Sequence, residues 1–181
     1  EPPSAFTVVR RDSVDQMVLA DANACVVRPG APIVALGAAD VPDMLALASV
    51  TQPGPFGART IELGDYIGIR LRGMLVAMAG GRMRLNGFTE ISAVCVEPAY
   101  RGHGFAVDLV GTLASSIAAR SEVPFLHVFS SNHAAIALYR KLGFTLRRQM
   151  HLAVLGRADA GDSAASFRSV TPRTPTRRPT R

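Results

Sequence analysis

The chain reads as one α/β domain built on a mixed, mostly antiparallel sheet with helices on both faces. Three observations carry that reading. Apolar runs between Tyr66 and Val96 are broken only by tight-turn signals, which makes three consecutive antiparallel strands. A strand and a helix precede them, and a helix–strand–helix–strand series follows. With 181 residues, 48% of them hydrophobic, the chain is long enough to bury a core of its own.

The elements follow in order. Residues 1–31 show no clear period. Short apolar pieces lie at Phe6–Val9 and Val14–Ala20, and the segment reads as the end of a longer N-terminal region. The domain is expected over 32–157. Ile33–Leu36 is a buried strand. Asp40 is placed to N-cap a helix whose apolar face is Met44, Leu45, Leu47 and Ala48. A loop at Gln52–Gly57 and a helical turn at Thr60–Leu63 come next. Tyr66–Leu71 and Met74–Met83 form a hairpin across Arg72-Gly73, and a turn at Leu85-Asn86-Gly87 leads into Thr89–Val96. Ala106, Leu109, Val110, Leu113 and Ile117 repeat at helical spacing. Phe125–Phe129 is a strand entered through Pro124. A helix from about Asn132 to Leu142 stops at Gly143, and one or two strands fill Thr145–Leu155.

Composition narrows the function classes. No run is long or pure enough to cross a bilayer as a helix, and no charged start with an apolar stretch and cleavage site marks export, so a cytoplasmic chain with no membrane partner is expected. Cys25 and Cys95 read as reduced, packed thiols. No Cys/His spacing suits zinc, and His103, His127, His133 and His151 form no ligand pair at helical spacing, so no metal is expected. The net charge of +6 is uneven: residues 158–181 hold five Arg against two Asp in a Pro/Thr-rich stretch, expected to be a disordered tail. Nucleic-acid binding through that tail is a rival reading, unsupported by interleaved aromatics or a reading helix. Arg outnumbers Lys nineteen to one, as in chains from GC-rich bacterial genomes.

The segment most charged with chemistry is Ser92–Ala106: a β-branched strand, Pro98, the loop Arg101-Gly102-His103-Gly104, then Phe105 and Ala106 opening a helix. Glycines let backbone N–H groups turn toward an anion, Arg101 adds charge, and the helix dipole favours a phosphate there. The loop lacks the Lys-Ser/Thr of a nucleotide P-loop, and no acidic residue about twenty positions on suits a dinucleotide ribose. Asn132 and Tyr139, seven residues apart, share a helix face about 10 Å long. They are able to flank an extended ligand, or to serve as N-cap and core residue. Glu90 alternates with Ser92, Val94 and Val96 along its strand. It reads either as a carboxylate with a raised pKa, fit for a general base, or as a strand-end residue facing water.

Two motifs then carry a resemblance. From about Ile33 to Leu155 the chain resembles the GCN5-related N-acetyltransferases (GNAT), nearest their FR47-like branch. Arg101-Gly-His-Gly104-Phe-Ala106 fits the family's Arg/Gln-x-x-Gly-x-Gly/Ala, and Asn132, Ala135, Leu138, Tyr139, Gly143 and Phe144 fit its second motif. The resemblance implies the GNAT fold, with acetyl-CoA as cosubstrate between splayed strands Thr89–Val96 and Phe125–Phe129. It implies pyrophosphate on Arg101, Gly102, His103, Gly104, Phe105 and Ala106. The pantetheine arm would run along the backbone of Val94, Cys95 and Val96, with Asn132 and Ala135 completing the donor site. Tyr139 matches the general acid that protonates the leaving thiolate, and Glu90 the general-base glutamate of histone-type members. Nothing marks Cys95 as a nucleophile, so direct transfer to a primary amine is expected. The acceptor stays open among small amines, amino acids, antibiotics, protein N-termini and lysines, as do a monomer and a homodimer. An amine held by Asp43, Glu62 and Asp65 near Phe56 and Tyr66 is conceivable. The rival from another class is a non-catalytic acyl-CoA-binding or sensory domain.

Overall fold

The structure is a computed structural model that describes residues 2–21 and 32–157. Cys25 and the tail expected at 158–181 lie outside the described residues. The strands are β1 (Phe6–Val18), β2 (Ile33–Leu36), β3 (Tyr66–Leu71), β4 (Met74–Leu85), β5 (Phe88–Val96), β6 (Val123–Phe129) and β7 (Thr145–Arg157); the α-helices are α1 (Val41–Thr51), α2 (Phe105–Ala118) and α3 (His133–Lys141). Seven strands form one sheet in the order β2-β3-β4-β5-β6-β1-β7. The pairs β2/β3, β3/β4, β4/β5 and β1/β6 are antiparallel, and β5/β6 is parallel. This is the mixed, mostly antiparallel sheet expected.

The chain divides into two compact units, Ser13–His151 and a smaller one to which the described residues 2–12 and 152–157 belong. In the smaller unit Val9 lies close against Gly156, where a Cβ would meet its Cγ1 at 2.8 Å. The larger unit carries the candidate site.

Local chemistry explains most elements. Arg72 and Gly73 both have positive φ (51° and 83°), the conformation that lets a two-residue turn match strand twist. In α2 the residues Phe105, Leu109, Val110, Leu113, Ala114 and Ile117 are buried against β3–β6 with Ile69, Ile91 and Leu126. Burying one such Leu or Ile side chain contributes about 2 kcal/mol. On the other face α1 lays Met44, Leu47 and Ala48 over Tyr66, Leu75, Met78 and Cys95.

Three expectations change. The unreadable N-terminal stretch contains β1, whose Val14–Val18 pairs with Phe125–Phe129. Its two apolar pieces are one strand, and the alternation failed as a signal because much of it is solvent-facing. Thr145–Arg157 is a single strand. Asp40 sits at the N-cap position without capping α1: its carboxylate instead accepts the Gly37 N–H at 2.8 Å and pairs with Arg70 at 2.6 Å.

Candidate active site

The sheet opens at one place. The parallel ladder between β5 and β6 runs through Phe88↔Val123, Thr89↔Pro124, Glu90↔Phe125 and Ile91↔Leu126, and then stops. Beyond it Ser92, Cys95 and Val96 pair only with β4, while β6 continues to pair with β1. Two strand edges therefore face each other without a backbone ladder between them, the kind of gap in which an extended ligand can pair with backbone.

A bulge reshapes β5 at the opening. Its register with β4 shifts between Gly80↔Ser92 and Met78↔Cys95, and Ala93 adopts φ 52°. The extra residue reverses the alternation. Ala93 and Cys95 pack on the α1 side, whereas Val94 and Val96 pack against the α2 and α3 core. The expected sharing of one face by Glu90, Val94 and Val96 thus fails, because a period of two does not survive a bulge.

Beyond Val96 the chain reaches the glycine loop. Gly102 and Gly104 have φ 85° and 86°, and a Cβ at either would meet nothing within 4 Å. The left-handed backbone, which side chains disfavour, is what requires glycine there. Gly104 ends the loop as the N-cap of α2, so the free N–H groups of the first turn face outward at the same end of the site. Arg101 is exposed, and its Nε donates to the Val96 carbonyl at 3.4 Å. His103 Nδ1 donates to the Tyr100 carbonyl at 3.0 Å, and its ring stacks on buried Phe105 at 5.6 Å. Ala106 is partly buried in the first turn.

Asn132 does cap α3, its Oδ1 accepting the Ala135 N–H at 3.1 Å. Tyr139 is buried on that helix with its ring edge-on to Phe144 at 6.0 Å. Burial, with a smaller influence from Cys95, pushes its pKa up to about 12, so the phenol keeps its proton. The Cys95 thiol is likewise pushed up to about 11, first by burial, against weaker opposing hydrogen bonds from Thr51 and Met78. A thiol held protonated is a poor nucleophile, consistent with the absence of a nucleophile signature in the sequence.

Glu90 meets neither sequence reading. It is 1% exposed, so it does not face water. Nor is its pKa raised: burial pushes upward, but hydrogen bonds from His127 and Arg82 and the charge of Arg82 outweigh it and hold the carboxyl below its ordinary value. Arg82 grips it with two bonds, Nε to Oε2 at 3.0 Å and Nη2 to Oε1 at 2.9 Å, and His127 Nδ1 donates to Oε1 at 2.8 Å. Sequence reasoning missed both partners. His127 alternates with Phe125 along β6, and that pattern was its only local signal. The acids expected near an acceptor are also paired: Asp43 with Arg70 at 2.8 Å, Glu62 with Arg59 at 2.7 Å and Asp65 with Arg84 at 3.1 Å. Among the described residues no group of three or more His, Cys, Asp or Glu is arranged to hold a metal ion, and no helix is long and apolar enough to cross a membrane.

The family model described as FR47-like protein matches residues 66–152. The chain is 38% identical over 126 residues to the N-alpha-acetyltransferase RimI of Mycobacterium tuberculosis, covering 61% of this chain and 78% of that one. Among solved structures, a GNAT-family protein from Novosphingobium aromaticivorans is 43% identical with a TM-score of 0.79, covering 87% of this chain and 70% of that one. A Mycobacterium tuberculosis protein solved in complex with CoA and NLQ shares the fold at 18% identity and a TM-score of 0.53, covering 63% of this chain and 71% of that one.

Proposed function

The chain belongs to the GCN5-related N-acetyltransferases, in their FR47-like branch, and is an acyltransferase; from that premise we propose that it moves the acetyl group of acetyl-CoA directly to a primary amine. The observation that carries the reading is the pair of unladdered edges beyond Ile91↔Leu126, leading toward a glycine loop at a helix N-terminus. The edges suit the amide-bearing pantetheine arm, which pairs with backbone at Val94, Cys95 and Val96. The loop Arg101–Ala106 suits the pyrophosphate, with Arg101 and the first-turn N–H groups of α2 as donors. Asn132 and Ala135 lie at the start of α3 and flank the donor. A structural relative carries CoA, which supports the same donor here.

The chemistry then falls to few groups. Negative charge that builds on the acetyl oxygen is stabilised by fixed backbone N–H donors beside the bulge. Tyr139, protonated across the working range, gives its proton to the leaving thiolate. Holding donor and amine in line supplies much of the acceleration, and Cys95 takes no part. The relative named as an N-alpha-acetyltransferase makes a protein or peptide α-amine the first acceptor to try.

Calorimetry with CoA and a thiol-release assay with acetyl-CoA and peptides bearing a free α-amine test this. The purified chain binds CoA, and Tyr139→Phe lowers transfer about 100-fold while keeping CoA affinity. A chain that fails to bind CoA sinks the proposal. Binding without transfer to any amine points instead to an acyl-CoA-sensing role.

A further inference from the structure

Five side chains from five strands form one hydrogen-bonded row at the end of the β5/β6 ladder, beside the place where the sheet opens: Arg82 on β4, Glu90 on β5, His127 on β6, Gln16 on β1 and Arg147 on β7. The donors in the row fix each partner's state. Arg147 Nη1 donates to Gln16 Oε1 at 2.5 Å, so the amide NH2 of Gln16 points the other way. That NH2 donates to His127 Nε2 at 3.0 Å, which leaves the lone pair on Nε2 and the ring proton on Nδ1. Nδ1–H then donates to the Glu90 carboxylate. Glu90, satisfied by three donors and sealed from solvent, is badly placed to accept a proton itself. His127 is 21% exposed at its side chain and immediately follows Leu126, the last rung of the ladder. The groups facing its ring are Glu90 with Arg82 behind it, Gln16 with Arg147 behind it, and the edge-on ring of Phe125 at 5.7 Å. A neutral imidazole with one aimed lone pair, and a carboxylate on its other nitrogen to steady the cation, is the arrangement a general base requires.

We infer that His127 is the residue that takes the acceptor amine's proton, with Glu90 as its positioning residue; the inference rests on the acetyl-transfer reading above. An ammonium N–H enters where the Gln16 N–H now donates. Gln16 is partly exposed and Arg147 exposed, so exchange leaves neither buried and unpaired. The N–H bond breaks toward Nε2, its electron pair becomes the amine lone pair, and His127 becomes an imidazolium. The amine attacks the acetyl carbon, the carbon–sulfur bond breaks, and the thiolate takes the Tyr139 proton. The second proton leaving nitrogen restores the Tyr139 hydroxyl, and His127 gives its proton to solvent.

The test is transfer from acetyl-CoA to a short peptide with a free α-amine, followed from about pH 5 to pH 9 for wild type, His127→Ala and His127→Gln. Acetyl-CoA affinity is measured alongside. In His127→Ala, kcat/KM falls about 100-fold, acetyl-CoA Kd holds within about twofold, the acid limb of the profile disappears, and added imidazole restores part of the rate. His127→Gln, which still donates to Glu90, folds but is equally slow. Nitrogen NMR of the wild-type ring places the proton on Nδ1. A proton on Nε2, or a His127→Ala enzyme that keeps its rate and acid limb, overturns the inference and leaves acetyl transfer standing. A wild-type chain that binds acetyl-CoA and serves no amine overturns both.

Discussion

Replacing Arg82 by Met is the sharpest test of how Glu90 is held. The substitution keeps the stem's length and removes both N–H donors from a carboxylate that is 1% exposed. Removing one partner of a buried ion pair costs about 3–5 kcal/mol. Arg82 is itself 29% exposed, so water replaces part of what is lost, and His127 keeps one bond to Oε1. The expected loss is therefore about 2–3 kcal/mol at neutral pH. Urea unfolding at pH 7 and at about pH 5 reads it, as a midpoint lowered by roughly 1–2 M. The pH dependence has a definite sign. In wild type the folded Glu90 pKa is lowered, so its stabilisation is complete above the unfolded value and fades as pH falls through the folded one. Without Arg82, burial is opposed by His127 alone and the folded pKa moves up. The penalty is then largest at neutral pH and is relieved on acidification, as the carboxyl protonates. Arg82→Met combined with Glu90→Gln recovers most of the loss at pH 7. A midpoint unchanged at pH 7, or a deficit that grows on acidification, refutes the account.

Three further outcomes are expected. Gly80→Ala puts a Cβ 2.3–2.5 Å from the Tyr66 ring, which is buried and backed edge-on by Phe56 at 5.9 Å. Such overpacking costs about 1–3 kcal/mol in urea unfolding, and a loss below about 0.5 kcal/mol means the ring moves freely. With Cys25 changed to Ser, Cys95 in the folded chain resists a thiol reagent at neutral pH and becomes reactive on unfolding, because its thiolate forms only as pH nears about 11. Cys95→Ala keeps acetyl transfer; its loss would demand a covalent acyl-enzyme.

The parts legible in the sequence share one property: their causes lie within a few residues. The Arg72-Gly73 turn, the Gly102 and Gly104 loop, the amphipathic face of α2 and the Asn132 cap are each set by local backbone preference or periodicity, and all are present as expected. The proposed donor end of the site is local in the same way, because strand, glycine loop and helix are consecutive. Glu90 shows the limit of that reasoning. Its neighbours along β5 suggest either a carboxylate among apolar residues, with a raised pKa, or a strand-end residue facing water. The partners that reverse the shift stand 8 residues away in Arg82 and 37 away in His127, and the ring's own orientation is set by Gln16, 111 residues before it.

The sequence by itself therefore determined the fold class, the family and the glycine loop proposed to meet the donor, since each is written in contiguous residues. Tertiary structure alone decided the bulge that places an alanine at φ 52° and turns Val94 and Val96 to the other face. It also decided that β1 lies beside β6, and that the Glu90 carboxylate is held by Arg82 and His127 while His127 Nε2 meets the Gln16 amide. A side chain's charge state depends on which donors surround it in space, and those donors come together only when five distant strands pair.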